Sequence, residues 1–213
     1  MNINFEELKR QALKELLKLK KYNSIMETVK KLKKGIKIDD AEKAEFRKNY
    51  ITYYDMFYKS EKWQQEFFIY FEKCLKDDNI KISKVLEKLA KLDEEYDVNH
   101  KPKVEFSFAS KLIATINPDM PIWDSNVAQK LGEEISQETK GILIKVGSKY
   151  MIDGYDLTTK INNAIRLYET LIKVEKEITK KYKREIEKFK EYFIDEYDLS
   201  DEKILDFYLW KLK

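Results

Sequence analysis

The sequence predicts an all-α fold of about eight or nine helices with at most one short β-hairpin. Among 213 residues there are only five Gly and three Pro, whereas a β-sandwich or barrel needs a turn about every 8–12 residues. Doubly wound α/β folds are disfavoured because no apolar strand followed by a glycine-bearing turn repeats along the chain. Apolar residues instead recur at intervals of three and four, which is the period of an α-helix.

The first helix is predicted over residues 4–21, and its apolar pattern continues to Lys34, where Gly35 is a helix-ending signal. Residues 1–37 contain eleven Lys or Arg and four Glu, a local charge of +7. A solvated helix face explains this charge, and an anionic partner is the alternative.

Two aromatic helices are expected next. Asp39 or Asp40 is the predicted N-cap of a helix that runs to about Tyr58, and Ser60 is the predicted start of another. Their aromatic residues lie at helical spacing, which is typical of a packed core. The alternative is that aromatic and basic side chains together hold a nucleic acid, with Arg47 and Lys48 as the phosphate contacts.

The remaining elements follow the same logic. A fifth helix is expected from about Ile82, and the segments 142–146 and 149–152 are predicted to form the hairpin around Gly147-Ser148. Thr158 or Thr159 is expected to begin the longest helix, which is predicted to continue through Phe189. Ser200, followed by acidic residues, is the predicted N-cap of a final helix.

We expect one α-helical domain over residues 1–213, either undivided or split into two lobes near residues 99–103, where Asn99-His100-Lys101-Pro102 indicates a turn. Cys74 is the only cysteine and His100 the only histidine, so neither a disulfide nor a metal site is predicted, and no cofactor is expected. The sequence has no secretory or membrane-spanning segment, which favours a cytoplasmic protein without a membrane partner.

The net charge of +3 is too small to indicate a nucleic-acid partner by itself. Only four of the 42 basic residues are arginines. Lysine is a flexible point charge, whereas bidentate contacts to bases favour arginine. Any contact with nucleic acid is therefore expected to involve mainly phosphates.

Residues 104–131 carry the one candidate for chemistry, in the order helix, proline-containing loop, helix. Lys111 is expected at the start of the first helix and Asp124 immediately before the second, so that the two side chains would meet between apolar walls. Burial can lower the pKa of a lysine until its amine is a nucleophile. A carboxylate at a helix N-terminus is stabilised in its ionised form and could support a cationic transition state.

This order resembles the helix–hairpin–helix DNA glycosylase superfamily over about 28 of the 213 residues. The resemblance rests on Lys111 and on Pro121-Ile122-Trp123-Asp124, which matches the Pro-apolar-Asp context of that superfamily. The glycines of the superfamily's hairpin are missing from residues 103–110. The resemblance implies that Lys111 attacks the sugar C1′ with Asp124 as its catalytic partner. Trp123 and Asn126, on either side of Asp124, are further candidate contacts to DNA.

Two functions from different classes follow. The first is a DNA-binding, glycosylase-like protein that excises a damaged base from duplex DNA after flipping it out of the stack. The second is a non-catalytic helical interaction or scaffold protein with a protein partner, in stress or phage defence. Under the second, Asp124 is only a helix cap, Lys111 is a solvated surface residue, and Trp123 is a packing anchor.

Overall fold

A computed structural model describes residues 5–77, 79–97, 101–193, 197 and 199–211. His100 lies outside these residues. Within them the all-α prediction is confirmed, because they form ten helices and a single two-stranded antiparallel hairpin. The elements in chain order are α1 (Phe5–Lys14), α2 (Leu16–Lys33), α3 (Asp40–Tyr54), α4 (Glu61–Cys74), α5 (Ile82–Tyr96), α6 (Phe106–Ile116), α7 (Ser125–Thr139), β1 (Leu143–Val146), β2 (Lys149–Ile152), α8 (Leu157–Lys181), α9 (Lys183–Phe193) and α10 (Asp201–Lys211).

The chain forms two compact units. We call Glu15–Lys103 the central unit, and Met1–Lys14 together with Val104–Lys213 the composite unit. No helix in the described part of the chain is both long enough and apolar enough to cross a membrane.

The central unit contains α2 to α5, with α2 packed on α3 and α4 packed on α5. Its helix starts are encoded locally. Asp39 caps α3 in a reciprocal capping box with Glu42, and the Ser60 hydroxyl accepts a hydrogen bond from the Trp63 amide at 3.2 Å. The predicted aromatic stripes are core except for Phe57, which lies beyond the end of α3 and is 65% exposed. The following side chains are all at most 5% exposed: Phe46, Tyr50, Tyr53, Tyr54, Trp63, Phe67, Phe68 and Phe71.

In the composite unit, α1 packs on α9 and α10, while α7 packs on α8, α10 and the hairpin. The hairpin register pairs Leu143 with Ile152 and Val146 with Lys149. Asp156, rather than a threonine, caps α8 by accepting a hydrogen bond from the Thr159 amide at 2.7 Å. This unit contains the segment for which chemistry was predicted.

Two helices that the pattern predicts as continuous are divided. The first breaks at Glu15, because Leu8 and Ala12 are buried in the composite unit while Leu19 and the rest of α2 belong to the central unit. The long helix breaks at Tyr182, where the backbone leaves helical geometry and α9 turns its apolar face toward α1. Helix α3 also ends early, at Tyr54, because Asp55 adopts a left-handed conformation with φ of 55°.

Candidate functional site

The loop 118–124 joins α6 to α7 and is fixed by polar contacts from three directions. The Trp123 amide donates to the hydroxyl of Ser110 on α6 at 2.9 Å. The Tyr168 hydroxyl on α8 donates to a loop carbonyl at 3.2 Å, and the Ser200 hydroxyl, at the start of α10, donates to another at 2.7 Å. Because these buried or half-buried contacts satisfy the loop's backbone groups, the end of the loop has a defined position.

Asp124 is the N-cap of α7. Its Oδ1 accepts hydrogen bonds from the amides of Asn126 at 2.9 Å and Val127 at 3.0 Å. The first turn of a helix has unpaired N–H groups and a partial positive charge, so it stabilises a carboxylate at this position. Asn126 is thus hydrogen-bonded to Asp124 through its backbone amide. The predicted contact of the Asn126 side chain with DNA stays a prediction.

A cavity of about 750 Å³ opens beside this cap. The aromatic part of its wall consists of Phe106, Trp123 and Tyr150. Trp123 is only 7% exposed, and the centroid of its ring lies 6.0 Å from that of Phe106. The polar part of the wall includes two carboxylates, two ammonium groups and an amide, from Glu105, Asp124, Lys149, Lys160 and Gln129.

The Tyr150 wall of the cavity depends on a glycine in α7. A Cβ atom at Gly132 would lie 2.6 Å from carbon atoms of the Tyr150 ring, which is far inside van der Waals contact. Only a residue without a side chain therefore lets this ring lie directly on the helix backbone. This contact holds β2 of the hairpin against α7 and keeps the cavity closed on that side.

The structure corrects the expected position of Lys111. This residue lies in the middle of α6 rather than at its start, on a helix that is buried nearly all round. The residue is only 8% exposed, and its Nζ lies 5.5 Å from the centroid of the Phe108 ring. Lys111 is not part of the cavity wall, whereas Trp123 and Asp124 are. Its predicted role as nucleophile stays untested, but the solvated alternative is wrong because the residue is buried.

Two acids that sequence reasoning missed lie buried in the same unit. Glu175 on α8 is 1% exposed and Asp206 on α10 is 2% exposed. Lys203 pairs with Asp206 at 3.3 Å, while neither carboxylate oxygen of Glu175 has a hydrogen-bond partner within the described residues.

Burial raises the pKa of both acids. The pKa of Glu175 lies well above its usual range because of burial first and the neighbouring Asp206 carboxylate second. The pKa of Asp206 is raised to about 7 by burial, a shift that the Lys203 charge opposes and the Asp124 charge supports. The backbone amide of Ile122 also interacts with Asp206. The two acids are thus electrostatically linked to the loop that carries Asp124.

The remaining predicted contacts, Arg47 and Lys48, belong to the central unit. Both lie on α3 and line a surface groove of about 520 Å³. The Arg47 guanidinium is 3.6 Å from the Glu72 carboxylate and 5.4 Å from the centroid of the Phe68 ring, whereas Lys48 is exposed. Arg47 and Lys48 therefore belong to a surface groove of the central unit and not to the cavity at Asp124.

Within the part of the chain that the structure covers, no cluster of three or more His, Cys, Asp or Glu side chains is arranged to hold a metal ion. No family model, curated protein or solved structure matches the chain significantly. The cavity at Asp124 and the groove on α3 are therefore the two candidate functional sites.

Proposed function

We propose that this chain is a nucleic-acid-binding, glycosylase-like protein whose composite unit takes up an unstacked nucleobase beside Asp124. The observation that supports this most directly is the cavity of about 750 Å³ with Trp123 and Asp124 in its wall. Its volume falls in the range of about 300–1,000 Å³ that is typical of small-molecule sites. The two residues that the superfamily resemblance singled out on the loop are the ones that reach this cavity.

The chemistry of the wall suits a base better than an aliphatic ligand. The largely buried rings of Phe106 and Trp123, with Tyr150, give the cavity an aromatic wall, as proteins that hold an extruded base have. The Gln129 amide can donate to and accept from a base edge. The ammonium groups of Lys149 and Lys160 suit the phosphates that flank a flipped nucleotide.

The proposed reaction is hydrolysis of the N-glycosidic bond. The bond between the base and C1′ breaks with its electron pair leaving on the base, which takes up a proton from solvent, and the proton that Asp124 accepts in the next step returns to solvent. A water molecule forms the new bond to C1′ and transfers a proton to Asp124, whose negative charge also stabilises the developing oxocarbenium ion. We favour water over the Lys111 amine as nucleophile because Lys111 is buried in α6 and lies outside the cavity wall.

One observation favours the alternative of a non-catalytic interaction protein. Asp124 already accepts two backbone hydrogen bonds as an N-cap, and this role alone accounts for an aspartate at this position. Under that alternative, the cavity is a packing defect beside the hairpin, and Asp124 contributes only to stability.

Duplex DNA containing a single damaged base, such as an oxidised purine, tests the proposal. We expect release of a free base by the natural protein, no release by Asp124→Asn, and undiminished release by Lys111→Gln. Borohydride reduction separates the two nucleophiles, because only attack by an amine leaves an imine that reduction converts to a covalent adduct. An adduct that depends on Lys111 would overturn the hydrolytic mechanism, and the absence of any base release would favour the interaction protein.

Stability measurements on the same residue provide the control. Asn is as good an N-cap as Asp, so Asp124→Asn should unfold at nearly the same denaturant concentration as the natural protein, while Asp124→Ala should lose about 0.5–2 kcal/mol. If Asp124→Asn is inactive although its stability is retained, the carboxylate is needed for chemistry rather than for capping. If Asp124→Asn is as active as the natural protein, Asp124 has no catalytic role.

A further inference from the structure

The central unit holds two aromatic side chains in solvent. Phe57 is 65% exposed and Tyr58 is 72% exposed, although large apolar side chains are normally packed. Both lie in the short turn between α3 and α4. The exposure of two adjacent rings sets this turn apart from the rest of the unit's aromatic residues, most of which are core.

The turn is anchored on both sides of the two rings. Met56 is fully buried, and its amide donates to the Ile51 carbonyl at 3.0 Å. Lys59 is 5% exposed and its Nζ lies 2.6 Å from the Asp93 carboxylate. The Gln64 side-chain amide donates to the carbonyls of both anchors, at 3.1 and 2.8 Å. With both anchors directed inward, the two residues between them are held outward.

Next to this turn, α3 presents positive charge. The groove of about 520 Å³ is lined by Phe57 together with three cations, from Lys43, Arg47 and Lys48, and one carboxylate, from Asp40. Lys43 and Arg47 are four residues apart and so occupy the same helix face, about 6 Å apart along the axis. An aromatic ring beside a row of cations is the arrangement with which proteins hold the bases and the backbone of a single strand.

We propose that the α3 groove and the Phe57–Tyr58 turn form a binding surface for single-stranded nucleic acid, separate from the cavity at Asp124. Lys43, Arg47 and Lys48 contact phosphates, and the rings of Phe57 and Tyr58 stack on unpaired bases. Duplex DNA is a poorer ligand for this surface because its bases are already stacked on each other. An acidic protein would use the cations but would gain no stacking on the rings.

The Glu72 carboxylate limits the charge of this surface. It lies 3.4 Å from the Lys43 Nζ and 3.6 Å from the Arg47 guanidinium. All three side chains are between 34% and 39% exposed, so the ion pairs are weak and can exchange for phosphate contacts. Removing this carboxylate is therefore expected to strengthen binding of a polyanion.

Fluorescence anisotropy with a labelled oligothymidylate of about 16 nucleotides tests the proposal in the full chain. Phe57→Ala and Tyr58→Ala should each weaken binding by about 5- to 150-fold, the range found for loss of one stacked base. Tyr155→Ala, which removes a ring that is 92% exposed in the composite unit, is the matched control and should leave affinity unchanged.

Charge variants test the groove. Lys48→Gln should reduce the dependence of log K on log salt by about 0.7, the value for one phosphate contact on a single strand. Lys188→Gln makes the same charge change at an exposed position of α9 and should not alter this slope. Glu72→Gln should raise affinity, and Glu187→Gln, another exposed carboxylate that pairs with a lysine, should not.

Several outcomes would overturn the assignment: a loss of duplex affinity in Phe57→Ala as large as its loss of single-strand affinity, no loss of single-strand affinity in Phe57→Ala, or equal effects of the Lys48 and Lys188 variants. Polyglutamate competing as well as oligothymidylate, in a Phe57-dependent manner, would indicate an acidic protein partner instead. Base release from damaged DNA reports on the cavity and the Phe57 dependence of oligothymidylate binding reports on the groove, so failure at the cavity and failure at the groove can be distinguished.

Discussion

The most deeply buried acid of each unit is held in a different way, Asp93 in the central unit and Glu175 in the composite unit. In the central unit, the buried Asp93 carboxylate accepts hydrogen bonds through Oδ1 from Lys59 Nζ at 2.6 Å and Trp63 Nε1 at 2.9 Å. In the composite unit, both oxygens of buried Glu175 lack a hydrogen-bond partner among the described residues, and the pKa of this acid is raised. Asp93 is thus paired with a lysine, as Asp206 is in the composite unit, whereas the Glu175 carboxylate accepts no hydrogen bond from the described residues.

This contrast separates structure from function. A buried acid with two charge-assisted hydrogen bonds stabilises one arrangement of the helices around it, here α4, α5 and the turn before α4. An uncompensated buried acid costs stability, and such costs concentrate at sites that are kept for activity. The uncompensated acid lies in the unit that also contains the loop of Asp124, and its charge interacts with that residue. This supports the choice of the composite unit as the site of chemistry.

The largest effect is expected from breaking the compensated pair. Asp93→Leu should cost about 3–5 kcal/mol, because it leaves the Lys59 ammonium buried without its closest partner. Chemical denaturation with linear extrapolation measures this loss. The double variant Lys59→Met with Asp93→Leu should recover most of it, since neither charge then remains buried. Equal losses in the single and double variants would contradict an energetic role of the ion pair.

Substitution of Glu175 should change the free energy of unfolding in the opposite direction. On folding, Glu175 must either be desolvated as a carboxylate or take up a proton, and Gln avoids both costs, so Glu175→Gln should stabilise the protein at pH 8 by on the order of 2 kcal/mol. Glu169→Gln, an exposed carboxylate on the same helix, is the matched control and should change little.

The pH dependence follows from the raised pKa values of Glu175 and Asp206. The folded protein retains protons that the unfolded chain releases, so this contribution to stability is complete below about pH 4 and is lost as the pH rises through the raised pKa of each acid, which is about 7 for Asp206. Glu175→Gln should flatten this part of the profile. An unchanged profile, measured by denaturation at several pH values, would show that Glu175 does not hold a proton in the folded state.

Local chemistry made part of this structure predictable. The caps at Ser60, Asp124 and Ser200 were predicted, because a side-chain oxygen at a helix start acts on amides two or three residues away. The breaks at Glu15 and Tyr182 were not, because neither position has a glycine or proline. Each break occurs because the segments on its two sides pack against different helices.

The candidate site was predictable to a similar extent. Trp123 and Asp124 were selected on sequence grounds, and both line the cavity. Glu175 left a visible signal, an acid where the long helix otherwise repeats apolar residues, but its isolation depends on which helices surround it. Lys111 was misplaced because the apolar pattern of residues 106–116 extends all round the helix and does not mark its start. The contact of Tyr150 with Gly132 joins a strand to a distant helix face, which no local pattern encodes.

That contact gives the smallest predicted effect and the most specific one. In Gly132→Ala the new methyl group would lie 2.6 Å from the Tyr150 ring, and overpacking of this kind costs about 1–3 kcal/mol. Alanine in place of glycine within a helix returns up to about 1 kcal/mol, so the net loss should be about 1 kcal/mol. In a Tyr150→Ala background the clash is gone, and Gly132→Ala should become stabilising by up to about 1 kcal/mol. A double-mutant cycle by chemical denaturation measures this reversal of sign. A Gly132→Ala loss of the same size in both backgrounds would mean that the hairpin does not rest on α7 at this glycine, and the closed wall of the cavity would then be wrong.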